Sequence, residues 1–258
     1  MLALRNQSSP DTTCEKGTAV TEGMTTALKN QLLRSMSAGD NERLRPHLEH
    51  VFLRQGQILH DVMQPIEFIH FIESGLSSEI ATNSEGQRIE VGCVGQEGFT
   101  GLSAVLGVRQ APHRSFMETD GSALRITPDA LLEVAVGSTS IMPILLRYVH
   151  VFMVQIAATA LADGRYGVEQ RTARWLLMSH DRMQGDELPL THEFLSLMLG
   201  VRRSSVTDAL HVLEGSGTIK ATRGLITVRD REKLEQIAGA SYGVPEAEYR
   251  RVIGASPS

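Results

Sequence analysis

"LTHEFLSLMLGVRRSSVTDALHVLEGSGTIKATRGLITV", residues 190–228, decides the architecture of this chain. Thr191 can N-cap a helix that buries Leu195, Met198 and Leu199, and Gly200 ends it. After a tight turn, Val206, Ala209, Leu210 and Leu213 recur on one helical face, while Arg203, Ser204, Thr207, Asp208 and His211 project from nearly the opposite side. This second helix has a packed back and a polar front. "TIKATRGLITV" then gives two short strands around Arg223-Gly224, a hairpin with Lys220 and Arg223 near its tip. Helix, glycine turn, helix and hairpin together spell a winged helix-turn-helix, whose second helix suits a DNA major groove.

Charge sharpens this reading. The chain has 258 residues and a formal net charge of −5, so attraction to a polyanion must come from a local patch. An Arg at the start of a helix can donate a bidentate pair to guanine, Ser and Thr can reach phosphates or base edges, and the helix N-terminus favours the anionic backbone. Asp208 can accept from a cytosine amino group or orient Arg202 or Arg203. A solvated helix face explains any one of these residues; it explains the whole constellation poorly.

Working upstream, "TTALKNQLLRSM" and "DNERLRPHLEHV" read as covering helices between Met24 and His50, with Asp40 as a cap. From Val51 to Ile126 the pattern changes to short apolar runs broken by "ESGLSS" and "TNSEGQ", which predicts many short strands in a β-sandwich or barrel. "PDALLEVAVGS" is a short helix, and a long helix begins near Ser140. It carries two apolar stripes. Ile141, Leu145, Tyr148, Phe152, Gln155, Thr159 and Ala162 alternate at steps of four and three, and Ile144, Val151, Ala158 and Leu161 lie beside them. The heptad-like stripe is read as a seam with a second copy of the chain, against the alternative of a single-chain core helix between two domains. Ile141–Ala162 has the length of a membrane span, but Arg147, His150 and Gln155 within it favour a soluble helix and no membrane partner.

At this point the residues resemble a known family. The quoted stretch, with its "LGVRR-S-V" variant, is similar to the DNA-binding region of Crp-Fnr regulators (cyclic AMP receptor protein and fumarate-nitrate regulator). "FIHFIESGLSSEI" and "GQRIEVGCVGQEGFTGLSAVLG" resemble the family's cyclic-nucleotide-binding jelly-roll barrel, so the resemblance spans roughly Val51 to Val228. It implies an α+β chain: an N-terminal jelly-roll β-barrel, a long dimerisation helix and a C-terminal winged helix-turn-helix. The expected division is a disordered tail over 1–23, the barrel over 24–137, the dimerisation helix over 138–163, the DNA-binding domain over 164–238 and a tail over 239–258. By the same resemblance Arg203, Ser204, Thr207 and Asp208 lie at or near base edges, with His211 on the same face, and Arg202, Ser205, Lys220 and Arg223 meet phosphate. Double-stranded DNA is the expected partner, read by a homodimer, and RNA polymerase is a further partner the resemblance admits. The alternative is a ligand-binding or protein-interaction module that no longer engages DNA.

The sensor's ligand is less legible. Cyclic-nucleotide binders in the family use a stretch beginning Gly-Glu and ending Arg-Ser or Arg-Thr. Here Gly101 is followed by Leu102 where the ribose-binding Glu is expected, while Arg114-Ser115 is present. These four are the candidate effector residues, and Leu102 speaks against cyclic AMP. Arg114 reads equally as an anion partner or as a solvated strand end. Cys14 and Cys93 lack the companions an iron-sulfur cluster needs, and His47, His50, His60 and His70 show no metal-ligand pairing, so no metal is expected. No phosphate-cradling "GxxxxGK", "HExxH" or nucleophile elbow occurs, so no catalytic residue is assigned. Two distant cysteines and no leader pattern suit a cytoplasmic protein.

Overall fold

Residues 28–254 are described by the computed structural model. The expected tail over 1–23, Cys14 and the last four residues lie outside them. Two short helices open the described chain, α1 (Gln31–Arg34) and α2 (Ala38–Leu44). They stop well before His50, because Pro46 turns the chain through a 3-10 segment, Arg45–His47, into a strand that starts at Glu49. Ser37, not Asp40, caps α2: its hydroxyl accepts from the Asp40 backbone N–H at 3.1 Å. Asp40 is instead buried and accepts from Ser138 Oγ at 2.6 Å and Ser140 Oγ at 2.5 Å, bonds that hold its carboxyl below the usual carboxylate range.

The short apolar runs become β1 (Glu49–Leu53), β2 (Ile58–His60), β3 (Ile69–Ser74), β4 (Ser77–Thr82), β5 (Arg88–Val94), β6 (Phe99–Thr100), β7 (Arg114–Met117) and β8 (Gly121–Ile126). A one-turn helix, α3 (Leu102–Val105), interrupts them. The strands pair antiparallel in two four-stranded sheets, β1-β8-β3-β6 and β2-β7-β4-β5, a jelly-roll arrangement. Leu53, Phe71, Ile72, Val94, Phe99 and Met117 from the two sheets share one core.

Helix α4 (Pro128–Val136) leads to α5 (Ile141–Arg165), which has the length and apolarity of a membrane span. Its heptad-like stripe does not point away from the barrel. Ile141, Leu145, Tyr148, Phe152 and Gln155 are buried in the chain's own core, and Thr159 is half-buried beneath Arg174, whose Nη2 donates to its hydroxyl at 3.1 Å. The Gln155 amide brackets Cys93, with Oε1 accepting from its N–H at 2.7 Å, and the Tyr148 ring lies 5.1 Å from Phe99. The seam expected at these six residues is therefore an intramolecular one. The barrel claimed this stripe because its wall admits it closely: a Cβ at Gly98 would come within 1.8 Å of the Tyr148 ring and hydroxyl. On the outer side Leu146, Met153 and Leu161 stay 42%, 62% and 56% exposed, with Ala157 and Ala160 open between them.

The carboxy-terminal part comprises α6 (Val168–Arg182), β9 (Glu187–Leu188), α7 (His192–Leu199), α8 (Arg203–Gly215), β10 (Ile219–Thr222), β11 (Leu225–Val228), α9 (Arg231–Ala238) and α10 (Val244–Val252). Leu176, Leu195, Leu210, Leu213 and Ile226 form its core, and that core continues into Leu76, Ile80 and Cys93 of the barrel. The unit is thus docked on the β4-β5-β7 face. Phe194 stacks edge-on against Phe116 at 6.3 Å, and Trp175 Nε1 donates to Glu90 Oε1 at 3.1 Å.

Candidate nucleic-acid interface and barrel cavity

Local chemistry builds the interface. Thr191 Oγ1 accepts from the Phe194 N–H at 3.1 Å and starts α7. Gly200 ends α7 in the left-handed region at φ 60°, where a side chain would be strained and its Cβ would press on Ile89 at 3.2 Å. Arg202 occupies the N-cap of α8 without making a side-chain cap, so the first N–H groups of α8 remain open to an external acceptor. Val206, Ala209, Leu210 and Leu213 are buried, as their spacing predicts.

On the other side of α8, Arg202, Arg203, Ser204, Asp208 and His211 are exposed, and Ser205 and Thr207 are half-buried. Lys220 is exposed on β10, and Arg223 is exposed in the two-residue turn with Gly224, at φ 76°, that joins Thr222 to Leu225. Among the described residues, Arg202, Arg203, Lys220 and Arg223 enter no ion pair, whereas Arg114, Arg125, Arg171, Arg182 and Arg231 are each held by a carboxylate. Asp208 forms no ion pair with either neighbouring arginine, so its expected orienting role is absent from this arrangement. A groove of about 740 Å³ runs between the α8 face and the wing, with Arg203, His211 and Arg223 along it and Glu193 and Glu214 at its edges.

Thr207 has an additional role. Its hydroxyl donates to the Arg203 carbonyl at 3.1 Å and lies 3.0 Å from His192 Nδ1, which must then be the donating nitrogen. This bond ties α8 to the start of α7. Burial and the nearby Arg203 and His211 lower the affinity of His192 for a proton. His192 and Glu214, which accepts from the Ala221 N–H at 3.1 Å and braces the wing, were not singled out in the sequence because each partner lies in a different element.

The barrel holds a second, smaller site. A cavity of about 150 Å³ lies between the sheet and α5, with His60, Glu79, Gly101, Leu102, Phe152 and Met153 among its walls. Of the four expected effector residues, Gly101 and Leu102 line it; Arg114 and Ser115 do not. The Arg114 fork is closed on Asp61, Nε to Oδ1 and Nη2 to Oδ2 each at 3.0 Å, which also depresses the Asp61 carboxyl. Ser115 is buried opposite Glu79 in the β4–β7 register. Burial pushes Glu79 up to about 7 and His60 down to about 4, so near neutrality the cavity presents a neutral imidazole and a carboxyl that titrates there. His60 Nε2 contacts Thr100 Oγ1 at 3.1 Å, while its Nδ1 and Glu79 Oε1 have no partner among the described residues. With Arg114 outside it and already paired to Asp61, a Leu at the ribose position and a volume below the roughly 300–1,000 Å³ usual for ligand pockets, this cavity does not fit a cyclic nucleotide.

A jelly-roll barrel, a long connecting helix and a winged helix-turn-helix, in that order, define a two-part architecture. Residues 170–237 match the Crp-like helix-turn-helix domain, so the chain carries a DNA-binding domain of that kind. No curated protein matches it. Its fold is similar to that of FixK2 from Bradyrhizobium japonicum at 17% identity and a TM-score of 0.65, covering 74% of this chain and 98% of that one. It is similar to TTHB099, a CRP-family transcriptional regulator from Thermus thermophilus, at 18% identity and a TM-score of 0.62, covering 73% and 96%. CLP from Xanthomonas campestris, described as a c-di-GMP responsive global regulator, matches at 18% identity and a TM-score of 0.60, covering 74% and 99%.

Proposed function

We propose that this protein is a homodimeric, sequence-specific DNA-binding transcriptional regulator that works in the cytoplasm and is controlled by a small effector in its barrel. One observation carries the reading: Arg202 and Arg203 stand unpaired at the uncapped start of α8, with Lys220 and Arg223 unpaired on the adjacent wing. Arg203, Ser204 and Asp208 read base edges from the first turns of α8, His211 follows on the same face, and Arg202, Ser205, Lys220 and Arg223 hold phosphate. Thr207 contributes by fixing α8 against α7 as well as by its place on that face.

The second copy docks on the outer face of α5, through Leu146, Met153, Ala157, Ala160 and Leu161, which recur on one side of the helix and are open in the single chain. The working division is a sensor barrel through Gly137, a dimerisation helix over Ile141–Arg165 and a DNA-binding unit from Val168 to Ala238. Met153 belongs both to the dimer face and to the cavity wall, so an effector that moves it biases the pairing of the two long helices and hence the spacing of the two α8 helices. Contact with RNA polymerase belongs to the same role.

Selection of bound duplexes from a random DNA pool, at stated salt and without added effector, tests the reading. An enriched inverted repeat with half-sites about 34 Å apart supports it. No enrichment, with binding of a protein partner unaffected by Arg202→Ala/Arg203→Ala, would replace it with the interaction-module reading.

A further inference from the structure

The segment beyond the winged helix folds back over the rest of the chain. Helix α10 packs along α5, with Tyr249 Oη donating to the Glu97 carbonyl at 3.1 Å and His150 Nε2 meeting Glu248 Oε1 at 2.5 Å. Beneath α10 lies a cleft of about 420 Å³ whose walls come from every part of the molecule: Glu97 of the barrel, Tyr148 and Phe152 of α5, Arg182 of α6, and Glu246 and Tyr249 of α10.

Most polar groups there already satisfy one another. Arg182 donates from Nε to Glu97 Oε1 at 2.8 Å and from Nη1 to the Met178 carbonyl at 2.9 Å. Arg231 and Tyr242 both donate to Asp181. Two buried groups are left over. Tyr148 is 1% exposed and its hydroxyl has no partner among the described residues. Both Glu246 carboxylate oxygens are buried without a hydrogen bond, and the nearest cation, Arg182 Nη1, stands 3.9 Å away. A carboxylate in such a position is costly unless something donates to it. Val151, Phe152 and Pro245 supply apolar walls beside it. The residual demand is for hydrogen-bond donors carrying positive charge, on a body that can lie against apolar surface. An anion would meet the Glu246 carboxylate, which has only the 3.9 Å contact with Arg182, while Arg182 and Arg231 are already engaged and Arg250, on the same wall, is exposed to solvent.

We propose that this cleft is a second ligand site, distinct from the barrel cavity, that takes a small organic amine: its ammonium donates to the Glu246 carboxylate and to Tyr148 Oη, and its apolar body packs on Val151 and Phe152. Because its walls belong to the barrel, the long helix, the DNA-binding unit and the C-terminal helix, a bound amine favours the docked arrangement of all four.

Calorimetric titration of the full chain with phenethylamine, phenethyl alcohol and 3-phenylpropanoate tests the site without reference to DNA, so its failure leaves the regulator reading untouched. The amine is expected to bind at millimolar concentrations or better and to raise the melting temperature. Glu246→Gln should weaken it about tenfold or more, the worth of a charge-assisted hydrogen bond, and Tyr148→Phe should weaken it less. Glu246 belongs to neither hydrophobic core and Glu246→Gln keeps its shape, so the variant is expected to keep the wild-type circular dichroism. Equal or tighter binding of the alcohol or the carboxylate, amine binding unchanged in a folded Glu246→Gln, or no binding by any of the three at solubility-limited concentration would overturn the proposal.

Discussion

At the residue scale, the roles proposed for the α8 and wing side chains separate into base readout and phosphate contact. Arg203→Ala is expected to cost about 1–3 kcal/mol on the selected site and to relax preference at one base position, measured by quantitative shift assays on single-base variants. Arg223→Ala should weaken specific and unspecific duplexes alike and flatten the dependence of affinity on salt by about one unit of slope. In the barrel, Glu79 binds its proton more tightly when folded, at about 7, than in the unfolded chain at 4.5. The folded state therefore holds more protons between these values, and the stability Glu79 contributes is full below 4.5 and lost as pH rises through about 7. His60 works in the opposite sense: its folded value of about 4 lies below 6.5, so its contribution is present above 6.5 and lost as pH falls through about 4. Glu79→Gln removes only the first dependence. Urea unfolding at pH 5 and 7.5 should show the variant gaining, relative to wild type, on the order of 2 kcal/mol at the higher pH; equal pH dependence in the two proteins would refute the assignment.

Elements were legible where period and punctuation agreed. Thr191 and Gly200 bracket α7 because a hydroxyl acceptor and a left-handed glycine are local requirements, independent of the rest of the molecule. The long helix shows the limit of such reasoning. Two apolar faces say that both must be covered, and spacing alone does not say by what; Gly92 and Gly98 in the barrel, far away in sequence, open the wall that receives Phe152 and Tyr148. Gly98→Ala should therefore destabilise the fold by at least about 1–3 kcal/mol through overpacking against Tyr148, read from its denaturation midpoint. Leu146→Glu with Met153→Glu, both on exposed positions, should leave that midpoint nearly unchanged while converting a dimer to a monomer in sedimentation velocity. A dimer that survives both changes would rule out this face as the seam.

Across the whole molecule, the DNA-binding unit and barrel share buried polar chemistry as well as an apolar core. Ser78 Oγ lies 2.8 Å from Glu90 Oε2 and also contacts Glu118, its single O–H serving one of the two, and burial raises both carboxyls above their ordinary values. Trp175 closes this cluster from α6. Trp175→Phe leaves Glu90 Oε1 without that donor and should lower stability by about 1–3 kcal/mol. If docking is cooperative, scanning calorimetry will still show one transition at lower temperature; two resolved transitions would mean that the units fold separately and the seam contributes little.

By itself, the sequence determined what depends on near neighbours: the helix-turn-helix with its wing, the strand-rich barrel and the clustering of arginines at the start of α8. Tertiary structure decided what depends on distant partners. It closed Arg114 on Asp61, moved Asp40 from a cap to a bridge with Ser138 and Ser140, turned the heptad-like stripe of α5 inward, and folded the C-terminal helix over Tyr148. The physical reason is common to all four. A cap or a turn is satisfied within a few residues of chain, whereas a carboxylate, a guanidinium or an apolar face takes whichever complementary surface the fold brings within reach.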